Sequence, residues 1–225
     1  MRFQDAARDG RAVVYAAIQA EPLVARAAEL IVAAGTPEQI LARAVMNGER
    51  DDPEAWRRMF PSLFGPEVPA AQRSAAEAVL AVSLEVAGRG DQVRSQVRGA
   101  IVEAVTERLL ARRGSTTGPA IRRERRILFD GVAAEIHPYD VTVEMAGRAE
   151  AWDCKWGARG INADVLYQLD DARTHAADED ERLVVGLVVF DAERSCRIRL
   201  DRQTAPHEAT RLVAIEGLAD LSTPR

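Results

Sequence analysis

Lysine is almost missing from this chain. Of its 30 lysine and arginine residues, Lys155 is the single lysine and every other one is arginine. Cysteine is scarce as well. Cys154 and Cys196 are the two present, which is too few for a disulfide framework. They lie far apart and histidine numbers only three, so no zinc-binding pattern forms. No apolar run approaches the length of a membrane span, and Met1-Arg-Phe-Gln-Asp5 lacks an apolar leader. The expectation is an unprocessed cytoplasmic protein with no membrane partner. The chain also has no GxxxxGK(S/T) phosphate loop, no GxGxxG turn and no serine nucleophile elbow. His137 has no visible triad partner and reads as structural or incidental.

A chain of 225 residues with 47% hydrophobic content folds as one large domain or two small ones. Its net charge of −5 counts against a protein whose whole surface grips nucleic acid. The charge is uneven, however. Arg94, Arg98, Arg108, Arg112, Arg113, Arg122, Arg123, Arg125 and Arg126 crowd one stretch, and the acids gather in Asp170-Asp171 and Asp178–Glu181. A basic face on an acidic protein still suits phosphate binding.

The informative stretch runs from Asp140 to Lys155. Val141 and Val143 are β-formers, Ala146-Gly147-Arg148 supplies a turn, and a second strand follows. Strands are expected over 134–143 and 149–156, paired antiparallel. Alternation puts Asp153 and Lys155 on one face of the second strand. Trp152, Cys154 and Trp156 fall on the other, which reads as the apolar, core-facing side. Two buried indoles would then fix a carboxylate and an ammonium rigidly over the opposite surface, as a divalent-metal site requires. A chain that uses arginine everywhere else retains lysine here, where a compact point charge differs most from a planar fork.

Asp140, then Asp153-Cys154-Lys155, then a helix carrying Gln168, resembles the PD-(D/E)xK nucleases, over roughly residues 93 to 191. One departure is visible: the family's proline usually abuts the first aspartate, whereas here the order is Pro138-Tyr139-Asp140. The resemblance implies an α/β fold. Its restriction-endonuclease-like core has a central mixed β-sheet flanked by helices in the order α-β-β-β-α-β, here preceded by an N-terminal helical region. It also implies a divalent-metal-dependent endonuclease acting on DNA, with RNA as the variant substrate. Asp140, Asp153 and the Cys154 backbone carbonyl would hold Mg²⁺ or Mn²⁺, which favour hard oxygen ligands. Lys155 would orient the attacking water and steady charge on phosphorus. Glu103 resembles the acid that the family places on its first core helix after a small residue at i−4, here Gly99. It would support the metal site. A solvated Glu103 paired with Arg98 or Arg108 is the plainer reading. Gln168 resembles a glutamine that holds the catalytic strand or a phosphate; a hydrogen-bonded border residue is its plainer reading. Arg122, Arg123, Arg125 and Arg126 would track nucleic-acid phosphates, or else form a solvated edge.

Around this stretch, residues 1–90 read as helical over 10–20, 22–34, 37–47 and 70–88, with a short helix after Asp52-Pro53. Thr36-Pro37 looks like a helix start. This region is expected to bind substrate, a second copy or a partner protein, or to serve as a cap that completes the core. A helix from Asp91 to Arg113 carries the stripe Val97, Ile101, Val105 and Leu109. It opens a second domain, 91–225. Gly114–Pro119 reads as a loop. Asn162 caps a helix over 163–176 with the stripe Ile161, Val165, Leu169, Ala172 and Ala176. Leu183–Phe190 reads as a doubly covered strand that pairs in parallel, and Cys196–Leu200 as an edge strand. Restriction or phage defence suits a compact nuclease with a private helical domain. The alternatives are a nuclease-like subunit that binds or assembles without cutting, and a helical interaction module in which the hairpin is accidental.

Overall fold

Proline starts most of the early helices. In the computed structural model, which describes residues 1–7, 10–113, 120–133, 137–145 and 147–223 apart from the Arg11 side chain, the helical region comprises α1 (Gly10–Gln19), α2 (Pro22–Ala33), α3 (Thr36–Asn47), α4 (Pro53–Met59), α5 (Pro61–Phe64), α6 (Ala70–Ala87) and α7 (Asp91–Ala111). Proline stands in the first turn of α2, α3, α4 and α5, where its missing N–H costs nothing. The Asp52 carboxylate accepts from the Glu54 N–H at 2.9 Å and caps α4. Gly35 rather than Thr36 caps α3, and it does so without a side-chain bond. The buried face of α2 is Leu23, Val24, Ala27, Ala28, Ile31 and Val32. From α3, Gln39 donates to the Ile31 and Ala34 carbonyls and ties down the end of α2. In α7 burial runs unbroken from Ala100 to Thr106, so the helix is covered on every side rather than along one stripe. Among the described residues no helix is long and apolar enough to cross a membrane.

The chain divides into two units, and the division does not follow the expected break near residue 91. Gly10–Arg108 forms one unit; Met1–Asp9 with Leu109–Arg225 forms the other. The division falls inside α7, between Arg108 and Leu109, whereas residue 91 is where that helix begins after the break at residues 88–90.

The second unit is a mixed sheet. Its strands are β1 (Arg2–Asp5), β2 (Ala120–Phe129), β3 (Val132–Ala133), β4 (Tyr139–Met145), β5 (Arg148–Lys155), β6 (Arg182–Val189) and β7 (Arg211–Val213). Two helices, α8 (Ala163–Asp178) and α9 (Glu193–Leu200), follow β5 and β6. The order across the sheet is β1-β2-β4-β5-β6-β7, with β3 paired to β2. β1, β2, β4 and β5 pair antiparallel, whereas β5, β6 and β7 run parallel. A parallel step needs a crossover, and α8 supplies it between β5 and β6. Asn162 caps α8 by accepting from the Val165 N–H at 3.0 Å. The expected loop 114–119, residues 134–136 of the expected first strand, and Ala146 of the turn lie outside the described residues.

Two expectations fail here. The opening residues form strand β1 on the sheet rather than helix. Cys196–Leu200 belongs to helix α9 rather than to an edge strand. Cys196 and Leu200 are buried four residues apart, and Arg197 pairs with Glu193 one turn earlier, so the short apparent alternation has a helical cause. The outer strand on that side is β7.

Both faces of β5 are covered. Ala149 and Ala151, with Leu183, Val185, Leu187 and Val189 of β6, pack in one cluster with Leu166, Leu169, Ala172 and Ala176 of α8. On the other face Trp152 lies over Gly186, where a Cβ would meet the indole at 2.4 Å and the Arg211 carbonyl at 2.9 Å. Trp152 Nε1 donates to Glu150 at 3.0 Å, and Arg113 donates to the same carboxylate at 2.6 Å. Removing one partner of a buried pair strands the other, so Glu150→Ala is expected to lose about 3–5 kcal/mol. Gly186→Ala overpacks the indole and is expected to lose about 1–3 kcal/mol. Urea denaturation measures both, and a Glu150→Ala protein as stable as the parent would show that this network does not hold the sheet.

Candidate active site

The register of the hairpin builds the site. Val141 faces Trp152 and Met145 faces Arg148 across β4 and β5. One further step sets Asp140 opposite Asp153, and directly opposed residues share a face. The Asp140 Oδ2 accepts from the Cys154 backbone N–H at 2.6 Å, which fixes this carboxylate to the neighbouring strand. Asp153 is buried at 8% exposure. Its Oδ1 accepts from Lys155 Nζ at 3.0 Å. Its Oδ2 lies 2.7 Å from the same ammonium as an ion-pair contact, but has no hydrogen-bond donor of acceptable geometry.

The expected division of faces holds: Asp153 and Lys155 lie on one side of β5, Trp152 and Cys154 on the other. The acidic side, however, is not an open surface. It continues the cluster packed under α8 and opens only near the end of the strand, where Lys155 is half-buried.

Burial alone would lower the pKa of Lys155. Asp153, and after it Asp140, outweigh that effect and raise it above the ordinary lysine value. In the metal-free chain Lys155 is therefore a persistent cation and donor rather than a general base.

The remaining expected residues are placed as follows. Gln168, on α8, donates to the His137 carbonyl at 3.0 Å and accepts from the His137 N–H at 3.2 Å. Both ends of its amide grip the segment entering β4, three residues before Asp140. It holds the segment that enters β4. Glu103 belongs to the helical unit and is 3% exposed. Tyr15 Oη donates to its Oε1, and Gln19 Nε2 donates to its Oε2 at 2.7 Å. It is thus neither solvated nor paired with Arg98, which donates to Asn47 at 2.9 Å. Tyr15 and Gln19 escaped notice in the sequence. No local sequence pattern pointed to them; in the structure a Cβ at Gly99 would come within 3.1 Å of the Tyr15 hydroxyl.

Arg122, Arg123, Arg125 and Arg126 lie on β2, a strand paired on both sides, so they are not an edge. Arg125 is a strut: it bonds Glu144 at 2.8 Å and pairs with Asp5, with its side chain 14% exposed. Arg122 is exposed, whereas Arg123 and Arg126 are partly buried. Both cysteines are buried free thiols.

No family model matches the sequence, and no curated protein matches it. Among solved structures, the crystal structure of protein VC1899 from Vibrio cholerae aligns with a TM-score of 0.49 at 15% identity. The alignment covers 90% of this chain and 55% of that one. The chain thus spans about half the length of that protein. A likeness of this degree transfers neither a family nor an activity.

The residues present suit a divalent cation. Asp140 and Asp153, on paired strands, offer the hard oxygen donors that such an ion takes. The lone lysine makes its charge state directly observable. Incorporated [¹³Cε]lysine gives a single resonance in this chain. In the metal-free protein Asp153→Asn is expected to lower the Lys155 pKa, because the largest of the raising charges is lost while burial remains. A pH titration of that resonance checks it; an unchanged or higher value would contradict the charge pairing.

Proposed function

We propose that this chain is a divalent-metal-dependent nuclease of the PD-(D/E)xK, restriction-endonuclease-like type, with DNA as its substrate. The observation that carries the reading is the juxtaposition on β4 and β5: Asp140 fixed to the Cys154 N–H, Asp153 opposite it, and Lys155 two residues on with its ammonium against both Asp153 oxygens. The element order α7-β2-β4-β5-α8-β6 supports it, since this is the α-β-β-β-α-β order of the family with the short β3 added.

Asp140, Asp153 and the Cys154 carbonyl would hold Mg²⁺ or Mn²⁺. When bound, such an ion supplies Lewis-acid charge at a phosphoryl oxygen and makes water more acidic. The chain's own part is positioning. The Lys155 ammonium has three donors, and the hydrogen bond to Asp153 uses one. The others can orient a water for in-line attack and stabilise charge developing on the phosphodiester. Gln168 keeps the approach to Asp140 in place, and Asp153 keeps the ammonium at the mouth of the site.

The test is cleavage of plasmid, single-stranded DNA and RNA with Mg²⁺ or Mn²⁺. Asp140→Asn and Asp153→Asn are each expected to abolish cutting while the fold persists. Lys155→Arg is expected to bind substrate normally and cut at least about a hundredfold more slowly, since losing a preorganised stabiliser of transition-state charge costs ~10²–10³ in rate. Parent protein that binds nucleic acid but cuts none of the three would replace this reading with that of a non-cutting subunit. Wild-type cleavage by Lys155→Arg would remove the lysine from the mechanism.

A further inference from the structure

We infer that the turn after β5 is a seat for the Lys155 side chain, with Gly160 and Asp191 as its positioning residues. The inference rests on the reading of Lys155 as the working ammonium. Lys155 is the last residue of β5, and its carbonyl accepts from the Phe190 N–H at 2.8 Å, which ties it to the end of β6. The chain then folds back through a 3-10 turn, Ala158–Gly160, closed by the Gly160 N–H on the Gly157 carbonyl at 2.9 Å. The return brings the bare Cα of Gly160 against the lysine stem. A Cβ at Gly160 would lie 2.9 Å from Lys155 Cδ and 3.0 Å from its Cβ and Cγ. The atoms met start at the root of the side chain, so the lysine cannot yield by swinging its tip alone.

Backbone conformation does not demand glycine here. Gly131 and Gly147 are the glycines with positive φ among the described residues. Close approach is the reason for Gly160.

The turn is held from outside. Asp191, just past β6, accepts from the Ala158 N–H at 3.0 Å with Oδ2 and from the Ala192 N–H at 2.9 Å with Oδ1. Its own carbonyl accepts from the Ile215 N–H at 3.1 Å. Arg199 donates to the Ile161 carbonyl at 2.9 Å on the far side of the turn. Asp191 therefore acts on Lys155 through the turn: it sets where Gly160 lies, and Gly160 sets where the stem can run.

The experiment is a cycle of Gly160→Ala and Lys155→Arg, read by single-turnover cleavage, KM and the [¹³Cε]lysine resonance. Gly160→Ala is expected to slow cutting by about ten- to a hundredfold, the scale of an ångström misplacement, with KM within about threefold of the parent. The Lys155 resonance is expected to shift. In the Lys155→Arg background the same change is expected to add little, because both act through one group. Equal slowing in both backgrounds, or wild-type cutting by Gly160→Ala, overturns the inference. Should Gly160→Ala fail to fold, Asp191→Asn, which adds no atom to the seat, takes its place in the same cycle. If the parent protein cuts nothing, the proposed activity falls but the seat is still judged. An unmoved Lys155 resonance in Gly160→Ala refutes the seat, and a shifted one upholds it.

Discussion

The Glu150 carboxylate lies inside the sheet unit with a guanidinium on one oxygen and an indole N–H on the other. A buried carboxylate is costly unless it is paired and bonded, and here both conditions are met. Arg113 also donates to the Leu221 carbonyl at 2.6 Å, so the same cation joins the strand to the last segment of the chain. Trp152, bonded to that carboxylate, packs over Gly186 with the Arg211 guanidinium 5.2 Å from its ring. The pleat does the rest. If Glu150 and Trp152 are locked to one face, Ala151, Asp153 and Lys155 must take the other. The geometry of the acidic face is thus imposed by polar pairing on the opposite one.

That arrangement sets an electrostatic problem. Asp140 and Asp153 carry like charges on adjacent strands, in a region walled by valine, leucine and alanine. Repulsion between them is relieved by whatever positive groups they meet. Asp140 receives a backbone N–H, and Asp153 receives the lysine ammonium. The raised lysine pKa is the same balance seen from the cation's side. The ammonium lies within 3.0 Å of both Asp153 oxygens.

Much of this was legible in the sequence, for identifiable reasons. The alternation Trp152-Asp153-Cys154-Lys155 is a strand signal with chemistry on one side. Asn162 before a periodic apolar stripe is a helix signal, and Leu183–Phe190 is long and apolar enough to read as a central strand. The failures are those of non-local pairing. β1 is four residues long and exists because β2 offers it a partner, with Asp5 meeting Arg125 from 120 residues away. Glu103 is bound by Tyr15 and Gln19, 88 and 84 residues earlier, and no local period reports that. α9 is short and rich in arginine, so two turns of helix mimic an alternating strand. The boundary within α7 was hidden because a continuous helix carries no break in composition.

The rarity of lysine has a consequence for how this fold opens. A protease that cuts only after lysine has a single target bond in the whole chain, between Lys155 and Trp156. That bond lies at the end of a strand hydrogen-bonded to β6, with the Lys155 carbonyl held by Phe190 and the Trp156 ring 5.0 Å from that of Phe190. Such a protease needs an extended, accessible segment, so it can act only once β5 has left the sheet. When reclosing outpaces cutting, the rate of that single scission reports the free energy of opening the sheet at the candidate site itself.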